Sequence, residues 1–101
     1  MKIYMDNAVH AYLEKHGASA LTISTRLGAG WGGGVPEPTV SLGKPQQGGK
    51  EYVSYEIGDK TVYVFFTIKT KDGTLHIKHR SFLFFEWITI EGIVGCSFSL
   101  D

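Results

Sequence analysis

Hydrophobic and polar positions change period along the chain, and each change marks an element. Lys2 to Met5 reads as a short strand. In residues 7–16, Val9, Tyr12, Leu13 and His16 recur at helical spacing, which predicts one amphipathic helix. Asp6 stands where an N-cap belongs, with a carboxylate able to accept from the free amides of the first turn. Gly17 stands where a helix stops. From Ala20 to Leu27 the period becomes two: Leu21, Ile23 and Leu27 face one way, and Thr22, Ser24 and Arg26 the other. That alternation predicts a strand with one buried face.

Further along, Thr39 to Leu42 reads as a short strand and Gly43 to Lys50 as a polar loop. Tyr52 to Ile57 and Thr61 to Lys69 flank Gly58-Asp59, an accepted two-residue hairpin turn. Lys71-Asp72-Gly73 turns the chain into Thr74 to Lys78, which completes a predicted three-stranded meander. Ser81 to Glu91 is too densely apolar for periodicity to separate strand from helix. An irregular turn over Ser81 to Phe85, then a strand from Trp87 to Ile90, is the expectation. Glu91-Gly92 turns the chain into a last strand, Ile93 to Leu100.

The 101 residues suit one domain with a modest core, and a hydrophobic content of 43% predicts folding rather than disorder. Ten basic residues balance ten acidic ones, so the electrostatic footprint of a nucleic-acid binder is absent. No apolar run approaches the roughly 20 residues of a membrane helix, and the first residues lack the apolar stretch of a signal peptide. No nucleic acid, no membrane and a cytoplasmic location are therefore expected. One cysteine excludes an internal disulfide and any multi-cysteine metal site within one chain.

Candidate chemistry concentrates in "GAGWGGGVPEP", residues 28–38. Gly28, Gly30 and Gly33 match the spacing of a dinucleotide fingerprint, but that motif needs a helix to follow. Val35-Pro36-Glu37-Pro38 opposes a helix, because each proline disfavours α geometry in the residue before it. The stretch reads instead as a glycine loop, Gly30, Gly32, Gly33 and Gly34 around Trp31. Glycines build no side-chain pocket, so Trp31 is expected to be exposed or covered only by another chain. Cys96 shares a strand face with Val94, Phe98 and Leu100, which suits a buried core thiol. A metal ligand or redox thiol is the alternative for it. His76 and His79 point to opposite faces of a strand, and His10 with Glu14 suits a solvated i,i+4 pair. Glu37, Glu51, Glu56, Asp59 and Asp72 fall in loops or on polar strand faces.

Aromatic residues are the other unusual feature. Val62, Val64, Phe66 and Ile68 form one strand face, with Tyr63 and Phe65 behind them; Phe82, Phe84, Phe85 and Trp87 follow. Burial in the core is the expectation for most of these, and an exposed patch marking a protein contact is the alternative.

Taken together, "MKIYMDNAVHAYLEKHG", "EPTVSLGKP" and "IGDKTVYV" resemble the HesB-like, or IscA-like, superfamily, and most of all its CC/Se motif (seleno)protein branch. The resemblance covers most of the chain. It implies a cysteine pair, or cysteine and selenocysteine, in the loop after the second strand, with C-terminal cysteines completing an iron or iron–sulfur site. Trp31-Gly32-Gly33 stands about where the pair and its glycine belong, and only Cys96 in "GCSF" matches the C-terminal motif. One thiolate does not supply a cluster site.

The expected fold is a single mainly-β α+β domain over residues 1–101. One N-terminal helix packs against a twisted, partly closed antiparallel or mixed sheet of about six to seven strands, HesB-like in arrangement. The expected function is a non-catalytic binding module without cofactor that has lost the cysteine loop. Gly30, Trp31, Gly32, Gly33 and Gly34 form its contact loop, in a homodimer or against a protein partner. The alternative is an iron or iron–sulfur carrier using Cys96 with ligands from outside the chain. No residue set supports an enzyme.

Overall fold

The computed structural model describes residues 1–27, 36–45 and 51–96. Strand β1 (Lys2–Met5) leads into helix α1 (Asn7–Lys15), as the spacing predicts. Asp6 is the N-cap by its extended backbone, but its side chain makes no capping bond. Its backbone carbonyl instead accepts from the amides of Val9 (2.9 Å) and His10 (3.3 Å). At the other end the chain closes with two reversed bonds, Gly17 N to Glu14 O and Ala18 N to Leu13 O. They require the left-handed φ of +67° that Gly17 adopts cheaply.

Eight more strands follow among the described residues: β2 (Ala20–Leu27), β3 (Pro36–Leu42), β4 (Tyr52–Ile57), β5 (Lys60–Phe65), β6 (Ile68–Thr70), β7 (Thr74–Phe82), β8 (Phe85–Glu91) and β9 (Ile93–Cys96). They make three sheets, ordered β1-β7-β8, β3-β2-β5-β4 and β6-β9. The α+β, mainly-β class and the mixed pairing hold: β1 with β7 and β2 with β5 are parallel, and the other pairs antiparallel. The strand count differs: among the described residues there are nine strands in three sheets, not about six to seven in one, and they form no closed barrel.

Three further expectations are corrected. Strand β3 starts at Pro36, not Thr39. Both prolines fit because β3 is an edge strand, and residues two apart aim their amide nitrogens the same way, here off the sheet. The run 61–69 is not one strand. It breaks at Phe66, whose amide bonds Glu51 O at 3.0 Å, and the alternation skips there, leaving Phe66 exposed and both Thr67 and Ile68 buried. The meander also fails: β4 and β5 form the expected hairpin, but β7 pairs with β1 and β8 in another sheet.

That move has a clear cause. Leu75 and Ile77 of β7 are fully buried, and so are Val9 and Leu13 of α1, which packs on this strand. These four join Leu21, Ile23, Val62, Val64 and Ile68 in one core. Lys60 is the exception at its margin, only 5% exposed at the head of β5. Its Nζ donates to Glu14 Oε1 (2.6 Å) and Asp59 Oδ2 (3.4 Å), tying helix to hairpin. Those bonds, Glu14 first, hold the Lys60 amine above its ordinary value against the opposing effect of burial. The expected His10–Glu14 pair is not formed: Glu14 turns to Lys60, and His10 lies 4.0 Å from Asp59.

Candidate functional site

Strands β7 and β8 are joined through a two-residue turn, Leu83-Phe84, with Phe82 opposite Phe85. Arg80 faces Trp87 across the pair, so alternation puts Phe82, Phe85, Trp87 and Arg80 on one face. The opposite face carries Glu86, His79 and Ile88 and turns toward α1: the Tyr12 and His79 rings sit 5.5 Å apart, and Lys15 reaches Glu86. Among the described residues no element covers the first face. Phe82 is 66% exposed, Leu83 78%, Phe84 96%, Phe85 67% and Trp87 43%. Burial was expected of these aromatics, and the structure puts them in solvent instead. Two aromatics of the same sheet's outer face, Tyr4 and His76, stack at 5.3 Å.

The turn breaks a second rule. Leu83 has φ +57°, the only left-handed non-glycine among the described residues. Two-residue hairpins place glycine or asparagine there, because a side chain at positive φ costs on the order of 1 kcal/mol. A strained leucine at the tip of four exposed apolar residues opposes both local propensity and burial. Such conflicts cluster at functional and strained sites.

Below the tip, charges are paired within the chain. Lys15 Nζ donates to Glu86 Oε2 at 2.6 Å, and His79 Nε2 to Glu86 Oε1 at 3.0 Å. Lys78 and Arg80 flank Glu91 at 3.1 and 3.0 Å. The hydrogen bond from Lys15, then that from His79, holds the Glu86 carboxyl below its ordinary value and raises Lys15 in return. Lys78, then Arg80, does the same to Glu91. Carboxylates depressed in the folded state stabilise it fully above the ordinary value of 4.5 and lose that contribution as pH falls through the folded value. The melting temperature is therefore expected to drop as pH is taken from 5 toward 3 (~2-unit range). Glu86→Gln with Glu91→Gln should flatten that dependence in melts followed by circular dichroism.

Two recesses lie near the hairpin and the sheet. One of about 180 Å³ is lined by Tyr12, Val40, Ser41, Leu42, Trp87 and Ile88. Another, of about 460 Å³, is lined by Thr22, Ser24, Ser41, Leu42, Lys44, Pro45 and Tyr52. Its hydroxyls are largely satisfied already: Thr22 donates to Gly43 O at 2.7 Å, and Ser24 and Tyr52 bond each other at 2.9 Å.

The sequence-derived contact loop, Gly30, Trp31, Gly32, Gly33 and Gly34, lies outside the described residues. The residues on either side of it are placed: Leu27 of β2 and Pro36 of β3 pair with each other. The strand that follows, rather than a helix, agrees with rejecting the dinucleotide motif. Cys96 ends β9 with its backbone opposite Ile68. His76 and His79 lie apart as expected, and no three His, Cys, Asp or Glu side chains gather as metal ligands among the described residues. With one cysteine in the chain, the residues do not fit an iron–sulfur cluster held by a single copy. The hairpin surface was missed because density of apolar residues reads as core; the basic run Lys78-His79-Arg80 just before it was the available signal of a surface strand.

The elements define the class as α+β, mainly β, with one helix and mixed sheets. The family model of the CC/Se motif containing family matches residues 1–93, and the chain belongs to that family. No curated protein matches the chain, and no solved structure does. The match includes both the glycine loop and the hairpin, and stops short of Cys96. Holding one cysteine, this member lacks a Cys-Cys pair.

Proposed function

We propose that this chain is a non-catalytic interaction module whose contact surface is the β7–β8 hairpin. The observation that carries this is the exposure of Phe82, Leu83, Phe84, Phe85 and Trp87 on one projecting element. Contiguous apolar patches beyond a few hundred Å² on a single chain mark contact sites, and aromatic residues dominate contact energies. Loss of the cysteine pair leaves a family scaffold without the thiols that name it. A HesB-like arrangement and a cytoplasmic setting complete the reading. The order of strand, helix, strand, glycine loop and strand supports the first. Among the described residues no helix is long and apolar enough to cross a membrane. The glycine loop around Trp31 is a second contact element in this reading.

A photo-cross-linking residue at position 84 tests it, with Asp72, exposed in the β6–β7 turn, as control. Discrete adducts are expected from position 84 and not from position 72.

A further inference from the structure

We infer that the occupant of the hairpin surface is a second copy of this chain, the tip of each hairpin seated in the Tyr12–Val40–Leu42–Trp87–Ile88 recess of the other. The inference rests on the interaction-module reading and names its partner. Knob and socket occur on one chain: Phe84 projects almost wholly into solvent, and the recess of about 180 Å³ is of aromatic side-chain size. A two-fold arrangement uses both at once, since an isologous contact repeats every interaction.

Area and charge agree with this partner. With roughly 150–250 Å² per aromatic side chain, the exposed fractions at 82–85 and 87 leave on the order of 600 Å² of apolar surface per chain. Two copies bring roughly 1,200 Å² together, the lower end of stable interfaces. The net charge is zero, so copies do not repel. Each charged residue flanking the tip is ion-paired within its own chain: Glu86 with Lys15 and His79, and Glu91 shared by Lys78 and Arg80. A nucleic acid or an anionic bilayer would need those cations free. Among the described residues strand β8 is moreover a sheet edge, a seven-residue row of backbone groups with neither lysine nor proline along it, its charges confined to Glu86 and Glu91.

Sedimentation of the full chain across a dilution series tests this. The expected result is a reversible monomer–dimer equilibrium. Phe84→Ser and Leu83→Gly should each weaken it about tenfold or more, while Leu83→Gly melts no lower than wild type because the left-handed strain is relieved. Leu42→Asp, in the recess, should weaken it similarly. An equimolar mixture of Phe84→Ser and Leu42→Asp should associate more strongly than either alone, because one intact tip then meets one intact recess. A wild-type chain that stays monomeric at every concentration overturns the inference. If position 84 still cross-links to a different protein, or the monomer floats with phosphatidylcholine–phosphatidylserine vesicles, the hairpin is a contact surface for another occupant. If neither occurs, the interaction-module reading falls with it.

Discussion

Leu75→Ala is expected to cost about 2–5 kcal/mol, the range for emptying a fully buried leucine site. The residue is wholly excluded from solvent in β7, the central strand of its sheet, and belongs to the core that α1 closes with Val9 and Leu13. Removing it leaves a cavity between two elements that cannot collapse without breaking the β1–β7 register, Ile3 opposite Leu75. For a small domain stable by about 5–15 kcal/mol, that is a large share of the total. Urea unfolding of the two proteins measures it. Phe84→Ala serves as the contrast: at an exposed turn it should change stability by less than about 0.5 kcal/mol under monomeric conditions. A large cost at Phe84 would mean that the hairpin aromatics are core after all.

Gly92→Ala is the second. Gly92 turns the chain between β8 and β9 at φ +101°, a conformation that side chains rarely adopt. A Cβ there would lie 2.5 Å from Thr74 O. That oxygen belongs to backbone held in the β1–β7 pairing, Lys2 opposite Thr74, and Gly92 O itself accepts from Lys71 N at 2.7 Å. Neither side can give way. Strain and clash together should cost about 2–4 kcal/mol. Gly43→Ala separates the two effects, because Gly43 has φ +93° with nothing within 4 Å of the added carbon. It should lose only about 1–2 kcal/mol. Equal losses at both positions would show that the contact with Thr74 contributes nothing.

Local signals in the sequence proved accurate where local physics decides. The helix from Asn7, its glycine stop, β2 from Ala20 to Leu27 and the Gly58-Asp59 turn all depend on neighbours within a few residues. Pairing partners do not. Nothing within Thr74 to Lys78 distinguishes β5 from β1 as a neighbour, and that choice is made by Leu75 and Ile77 closing over α1. Asp6 shows the same limit at smaller scale, occupying the cap position without making the side-chain bond. Lys60 was not legible either: its burial depends on Glu14, forty-six residues away, turning to meet it.

The candidate site was legible only in part. An exposed aromatic patch was one of two readings of Phe82, Phe84, Phe85 and Trp87, and composition favoured the other. What separates the readings is tertiary structure: no described element packs over the Leu83-Phe84 turn, where Phe84 is 96% exposed. Pro36 and Pro38 misled in the opposite sense, reading as loop when an edge strand accommodates them.

Photo-cross-linking from position 84 addresses the role of the hairpin most directly. With benzoylphenylalanine in place of Phe84, discrete adducts should form, competed away by excess unlabelled wild type but not by a Phe82→Ser, Phe85→Ser variant. The same probe at Asp72 should give none. Adducts absent from position 84, or equally abundant at both positions, would contradict a contact surface on the hairpin.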